Sequence, residues 1–171
     1  MSDTKPPLRL AGVIRESIVD GPGIRTTVFA QGCPHRCEGC HNPQTWDPES
    51  GIVFDKEAEK ELFEILGRDY ISGITFSGGD PLFEGNRMGI ERLARKVKLE
   101  YPDKNIWLYT GYRWEEISAL PMMQFIDVLV DGRFMEDLKD TKLHWKGSFN
   151  QRIIDVQKSL KNSSLYLYNA E

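Results

Sequence analysis

At 171 residues, with 40% hydrophobic and 28% charged side chains, the chain carries apolar material for one compact domain and too little length for a second. A formal charge of -4 without any Lys/Arg block argues against nucleic acid, whose affinity comes largely from phosphate neutralisation, and favours a protein or small-molecule partner. The opening stretch Met1-Ser-Asp-Thr-Lys-Pro-Pro7 lacks the apolar segment of a signal peptide, and no run approaches membrane-spanning length, so the chain reads as cytoplasmic with no membrane partner.

In chain order, Leu8 to Ile14 and Arg25 to Ala30 read as strands, the second rich in the β-branched Thr26, Thr27 and Val28, with the turn Asp20-Gly21-Pro22-Gly23 between them. Lys56 to Leu66 is an amphipathic helix with Ala58, Leu62, Ile65 and Leu66 at helical spacing and Asp55 as N-cap. A strand over Gly73 to Ser77 precedes a helix near 87–100, whose face is Ile90, Leu93, Ala94 and Val97 and which Pro102 follows. The alternation repeats as a strand over Asn105 to Thr110, a helix near 114–119 and a strand over Phe125 to Asp131. These strands are apolar nearly throughout, as parallel strands covered on both faces are, so the fold class expected is α/β with a parallel sheet. One domain over residues 1–171 is expected, with a flexible N-terminus (1–7) and a loosely attached C-terminal tail from about 157 to 171.

Directly after four successive strands stand Gln31-Gly32-Cys33, Ser77-Gly78-Gly79-Asp80-Pro81, Thr110-Gly111-Tyr112 and Asp131-Gly132-Arg133. The carboxyl ends of parallel strands are where α/β ligands bind, so four such loops make a shared ligand rim.

One of these loops bears all three cysteines of the chain, Cys33-Pro-His-Arg-Cys37-Glu-Gly-Cys40. An odd number packed this tightly makes no disulfide framework and points to a metal in a reducing compartment. Three thiolates leave a fourth position to fill. Structural zinc with His35 or His41 as fourth ligand is one solution, a 4Fe-4S cluster with one iron open to a ligand is another, and reactive thiol chemistry is a poorer third.

The spacing C-x3-C-x2-C, together with Gly78-Gly79-Asp80-Pro81 after the next strand, resembles the radical S-adenosylmethionine superfamily. Asp20-Gly-Pro-Gly-Ile-Arg-Thr-Thr-Val-Phe29, Gly32 through Pro43 with Thr45-Trp46, and Ile74 through Leu82 are similar to the glycyl-radical activating enzymes, the reductase-activating type above all. The likeness continues through Leu108-Tyr-Thr-Gly-Tyr112, Asp127 to Phe134 and Gly147 to Arg152, and so covers the chain up to about residue 156.

The resemblance implies a radical S-adenosylmethionine core, a partial (open) β/α barrel in which Cys33, Cys37 and Cys40 ligate three irons of a 4Fe-4S cluster. The fourth iron would take the amino and carboxylate groups of S-adenosylmethionine. Gly78, Gly79 and Asp80 would run along the methionine, with Asp80 as acceptor for its ammonium. Gly39 stands where many superfamily members carry an aromatic residue before the third cysteine; His41 would then contact the adenine, and Thr110 with Gly111 the ribose or sulfonium. Reductive cleavage would yield a 5′-deoxyadenosyl radical that removes hydrogen from a backbone glycine of a large glycyl-radical enzyme subunit, here anaerobic ribonucleotide reductase. A flavodoxin- or ferredoxin-type protein would donate the electron. Alternatives are an activase of the pyruvate formate-lyase type, a small-substrate enzyme of similar core and, from another class, a zinc-stabilised interaction protein.

Overall fold

The strands assemble into one seven-stranded sheet in the computed structural model, which describes residues 6–169. The strands are β1 (Arg9–Ser17), β2 (Ile24–Ala30), β3 (Ile52–Val53), β4 (Ile71–Gly78), β5 (Asn105–Tyr109), β6 (Val128–Asp131) and β7 (Arg152–Asp155). Their order across the sheet is β3-β1-β2-β4-β5-β6-β7. The helices are α1 (Lys56–Leu66), α2 (Glu84–Glu100), α3 (Trp114–Ile117) and α4 (Val156–Asn162).

The centre of the sheet, β2-β4-β5-β6, is parallel as the alternation with helices requires. Its edges are not: β1 pairs antiparallel with β2 and β3, and β7 antiparallel with β6, so the sheet is mixed. The first reversal follows from Asp20-Gly21-Pro22-Gly23. A connection that short can only turn the chain back on itself, and Gly21 and Gly23 supply the positive φ values of 137° and 72° that it needs.

In α1 the Asp55 carboxylate accepts the Ala58 N–H at 2.8 Å, the expected cap. Helix α2 begins one turn before its apolar stripe because the Phe83 carbonyl accepts N–H bonds from Asn86 and Arg87 at 2.7 and 3.2 Å. The strand read from Phe125 starts instead at Val128, since Pro121–Phe125 forms a 3-10 turn. Asp127 then turns its carboxylate to the Ile106 N–H at 2.7 Å and Lys98 Nζ at 2.6 Å. The helix read near 114–119 is the single turn α3.

Residues alternate between two faces. Val28, Ile74, Phe76, Ile106, Leu108, Leu129 and Ile154 pack with residues of all four helices in one core. On the other face, among the described residues, loop and strand residues take the place of helices: Trp107, Val128 and Val130 pack with Trp145, Ile153 and Tyr168. Trp107 meets Trp145 and Tyr168 edge-on at 5.1 and 5.3 Å. Tyr168 lies in the segment read as a tail, where Leu167 also bridges to Ile154; residues 1–5 and 170–171 of the two ends lie outside the described residues. The same face buries Arg25, whose guanidinium donates to Thr75 Oγ1, Pro22 O and Ile74 O at 2.8, 3.1 and 3.0 Å.

Candidate metal and cofactor site

The loops at the carboxyl ends of β2, β4, β5 and β6 are stitched to one another. Gly79 N–H donates to Ala30 O and Asp80 N–H to Gly32 O, both at 2.8 Å, which lays the β4 loop on the start of the cysteine loop. Gly32 N–H donates to Thr45 O at 2.7 Å, Thr110 N–H to Val130 O at 2.9 Å and Gly132 N–H to Tyr112 O at 3.0 Å. Below them the buried Asn86 amide donates to Gln31 O and Asp80 O at 2.9 and 3.0 Å.

On this rim a cavity of about 150 Å³ is lined by Cys33, Cys37, Cys40, Gly78, Gly79 and Thr110. Phe134 and Tyr109 also line it. A second cavity of about 400 Å³ shares Gly111 and Gly132 with it and is bordered by Arg113 and Arg133. Side by side they reach the size of small-molecule sites.

The cysteine loop is irregular, with Arg36 and Gly39 at φ 50° and 75°; Cys40 N–H donates to Cys37 O at 3.2 Å. All three thiols are free and partly exposed. Burial pushes the Cys33 thiol up to about 11, partly offset by the His35 N–H directed at its sulfur. Burial also raises Cys37, against the Phe134 N–H and the charge of Arg133. A metal binding here must therefore displace protons. Among the described residues no three His, Cys, Asp or Glu side chains converge as around a bound ion. The donor set nonetheless suits an iron-sulfur cluster: three thiols on one irregular loop facing one cavity, with backbone N–H groups directed at all three sulfurs, that of Asn42 reaching Cys40 Sγ at 3.4 Å.

Asp80 is fully buried, and its carboxylate accepts from Leu82 N–H, Thr110 Oγ1 and Gly111 N–H, each at 2.9 Å. It also accepts from His35 Nε2 at 2.5 Å. His35 enters the sequence reading only as a zinc ligand, although it sits between two cysteines. In the structure its ring lies edge-on to Tyr112 at 4.7 Å and faces the carboxylate. His41 lies against Phe134, ring centroids 5.5 Å apart. Gly39 lies under Glu136, whose carboxylate occupies the place of a Cβ. The rim thus brings Cys33, Cys37, Cys40, Gly78, Gly79 and Thr110 to one cavity, while Gly39 and His41 lie beside Glu136 and Phe134 and the Asp80 carboxylate is turned inward.

A family model described as a 4Fe-4S single cluster domain matches residues 19–154. The anaerobic ribonucleoside-triphosphate reductase-activating protein of Enterobacteria phage T4 is 46% identical over 135 residues, 79% of this chain and 86% of the phage protein. The protein of that name from Escherichia coli (strain K12) is 46% identical over 138 residues, 78% of this chain and 90% of its own length. Its counterpart in Vibrio cholerae serotype O1 is 43% identical over 140 residues, 80% and 90% of the two chains. With its cysteine-bearing rim and this likeness over most of its length, the chain belongs to the family of anaerobic ribonucleoside-triphosphate reductase-activating proteins.

Proposed function

We propose that this chain is a radical S-adenosylmethionine enzyme that activates anaerobic ribonucleoside-triphosphate reductase by generating a glycyl radical on it. The observation that carries the reading is the meeting of Cys33, Cys37 and Cys40 with Gly78, Gly79 and Thr110 around one cavity. When bound, a 4Fe-4S cluster and S-adenosylmethionine would supply the one-electron radical chemistry that removes hydrogen from glycine.

The residues of the chain bind, orient and exclude water. Cys33, Cys37 and Cys40 would hold the cluster by three of its irons, leaving the fourth open to S-adenosylmethionine. Gly78, Gly79 and the backbone of Asp80 would run beside the methionine, Thr110 and Gly111 beside the ribose or sulfonium, and Gly39, Cys40 and His41 beside the adenine. No side-chain acid or base is called on. Helices confined to one face of the sheet support its reading as an open β/α barrel, with the other face the approach for a glycine-bearing loop. The reading further takes residues 1–171 as one domain, acting in the cytoplasm with a flavodoxin- or ferredoxin-type donor.

The test is anaerobic reconstitution with iron and sulfide, followed by S-adenosylmethionine and a strong reductant. Methionine and 5′-deoxyadenosine are expected from the wild type and from none of Cys33→Ala, Cys37→Ala or Cys40→Ala. Purification with stoichiometric zinc and no cleavage would sink the reading.

A further inference from the structure

Asp80 is where the hydrogen bonds of the rim converge. An ionised carboxylate offers about four acceptor positions. Here Oδ1 takes the Leu82 N–H and Thr110 Oγ1, and Oδ2 takes the Gly111 N–H and His35 Nε2, all at 2.5–2.9 Å. With the group fully buried, none is left for a ligand ammonium. Leu82 belongs to Asp80's own loop, and Thr110 and Gly111 tie that loop to the end of β5. His35 is different, because it stands midway between Cys33 and Cys37.

The His35 side chain is only 3% exposed. Its ring is wedged between Tyr112 and Gly111, where a Cβ would overlap Cδ2 and Nε2. Facing a carboxylate, Nε2 carries the ring proton. The other nitrogen, Nδ1, is buried and has no hydrogen-bond partner among the described residues. An apolar side chain of similar shape would avoid that cost. What it could not supply is the bond from the cysteine loop to Asp80.

We infer that His35 and Asp80 form a clamp that sets the position of the cysteine loop, so that Asp80 acts on the bound cluster through His35 rather than by touching S-adenosylmethionine. Both are positioning residues. The inference rests on the cluster reading above. It also explains why the Asp80 carboxylate is turned inward although its loop lines the cavity.

The test uses the full reconstituted chain and three variants, His35→Leu, His35→Gln and Asp80→Asn. Before any S-adenosylmethionine is added, the rate at which a chelator extracts iron and the electron paramagnetic resonance spectrum of the reduced cluster are recorded. Loss of a partner that orients a metal ligand typically weakens metal binding by 10–100-fold, so His35→Leu and Asp80→Asn should lose iron about 10- to 100-fold faster. Their double variant should be no worse than either alone, and both should show altered spectra. His35→Gln presents an N–H at nearly the same reach and should match the wild type. Should His35→Leu not fold, His35→Gln against Asp80→Asn decides on the same readouts.

Wild-type iron retention in His35→Leu overturns the clamp. So does an Asp80→Asn variant that holds iron normally yet binds S-adenosylmethionine more weakly, since Asp80 would then act on the ligand. Failure of the cluster reading is distinct, for in that case the wild type takes up no iron and sulfide.

Discussion

Gly78→Ala separates a glycine required by a ligand from one required by the fold. Gly78 closes β4 at φ +100°, and a Cβ there would stand 2.5 Å from both N and O of Ala30 and 2.7 Å from the carbonyl carbon of Phe29. These are backbone atoms of β2, held in the sheet, and they cannot swing away as the end of a side chain can. Left-handed strain of about 1–2 kcal/mol and overpacking of about 1–3 kcal/mol together place the loss near 3 kcal/mol. For a chain of this length that lowers the melting temperature by roughly 6–12 °C. The internal control is Gly12→Ala, whose Cβ would meet nothing within 4 Å and which should change stability by no more than about 0.5 kcal/mol. Both are measured by circular dichroism melts of protein free of metal and cofactor. If Gly78→Ala melts with Gly12→Ala and only S-adenosylmethionine binding suffers, the packing argument is wrong.

Arg25→Lys keeps the charge but loses the planar fork that serves Thr75 Oγ1, Pro22 O and Ile74 O, so urea unfolding should register a loss of about 2–4 kcal/mol. Ile90→Ala, in the helix-covered core at 0% exposure, should cost about 2–5 kcal/mol in the same assay. Hydrogen bonds from Arg152 hold the Glu115 carboxyl down to about 2, so its contribution is present above the ordinary value of about 4.3 and is lost as pH falls toward 2. Because Glu115 is 58% exposed, water screens the pair to below about 1 kcal/mol, and the stability gap between wild type and Glu115→Gln should close over that acidic range. Since burial keeps Cys33 protonated up to about 11, cluster assembly should release protons beyond those of the added sulfide, and release of the sulfide's protons alone would refute thiolate ligation.

The parallel centre of the sheet is legible because α1 and α2, each with a clear apolar stripe, stand between β2 and β4 and between β4 and β5, and Lys56 to Leu66 matches α1 at both ends. The edges are not. Arg152–Asp155 is four residues of mixed polarity, and whether such a piece joins a sheet depends on β6 offering a free edge, which is a tertiary fact. Trp107 illustrates the same limit: as one residue of an apolar run it implied helices on both faces, yet its cover comes from Trp145 and Tyr168, 38 and 61 positions onward. The cysteines and the glycine-rich loop were legible as motifs because spacing along the chain carries them. The His35–Asp80 bond spans 45 positions and has no local pattern. The position of His35 between two cysteines is the signal the sequence carries, and it points equally to a metal ligand.

The central claim is tested most directly by mixing the reconstituted, reduced chain with S-adenosylmethionine and anaerobic ribonucleoside-triphosphate reductase and recording the electron paramagnetic resonance spectrum of the reductase. The account predicts a glycyl-radical doublet on the reductase that appears with 5′-deoxyadenosine and is absent with Cys33→Ala, Cys37→Ala or Cys40→Ala. A reductase that stays silent while the same mixture cleaves S-adenosylmethionine would contradict it.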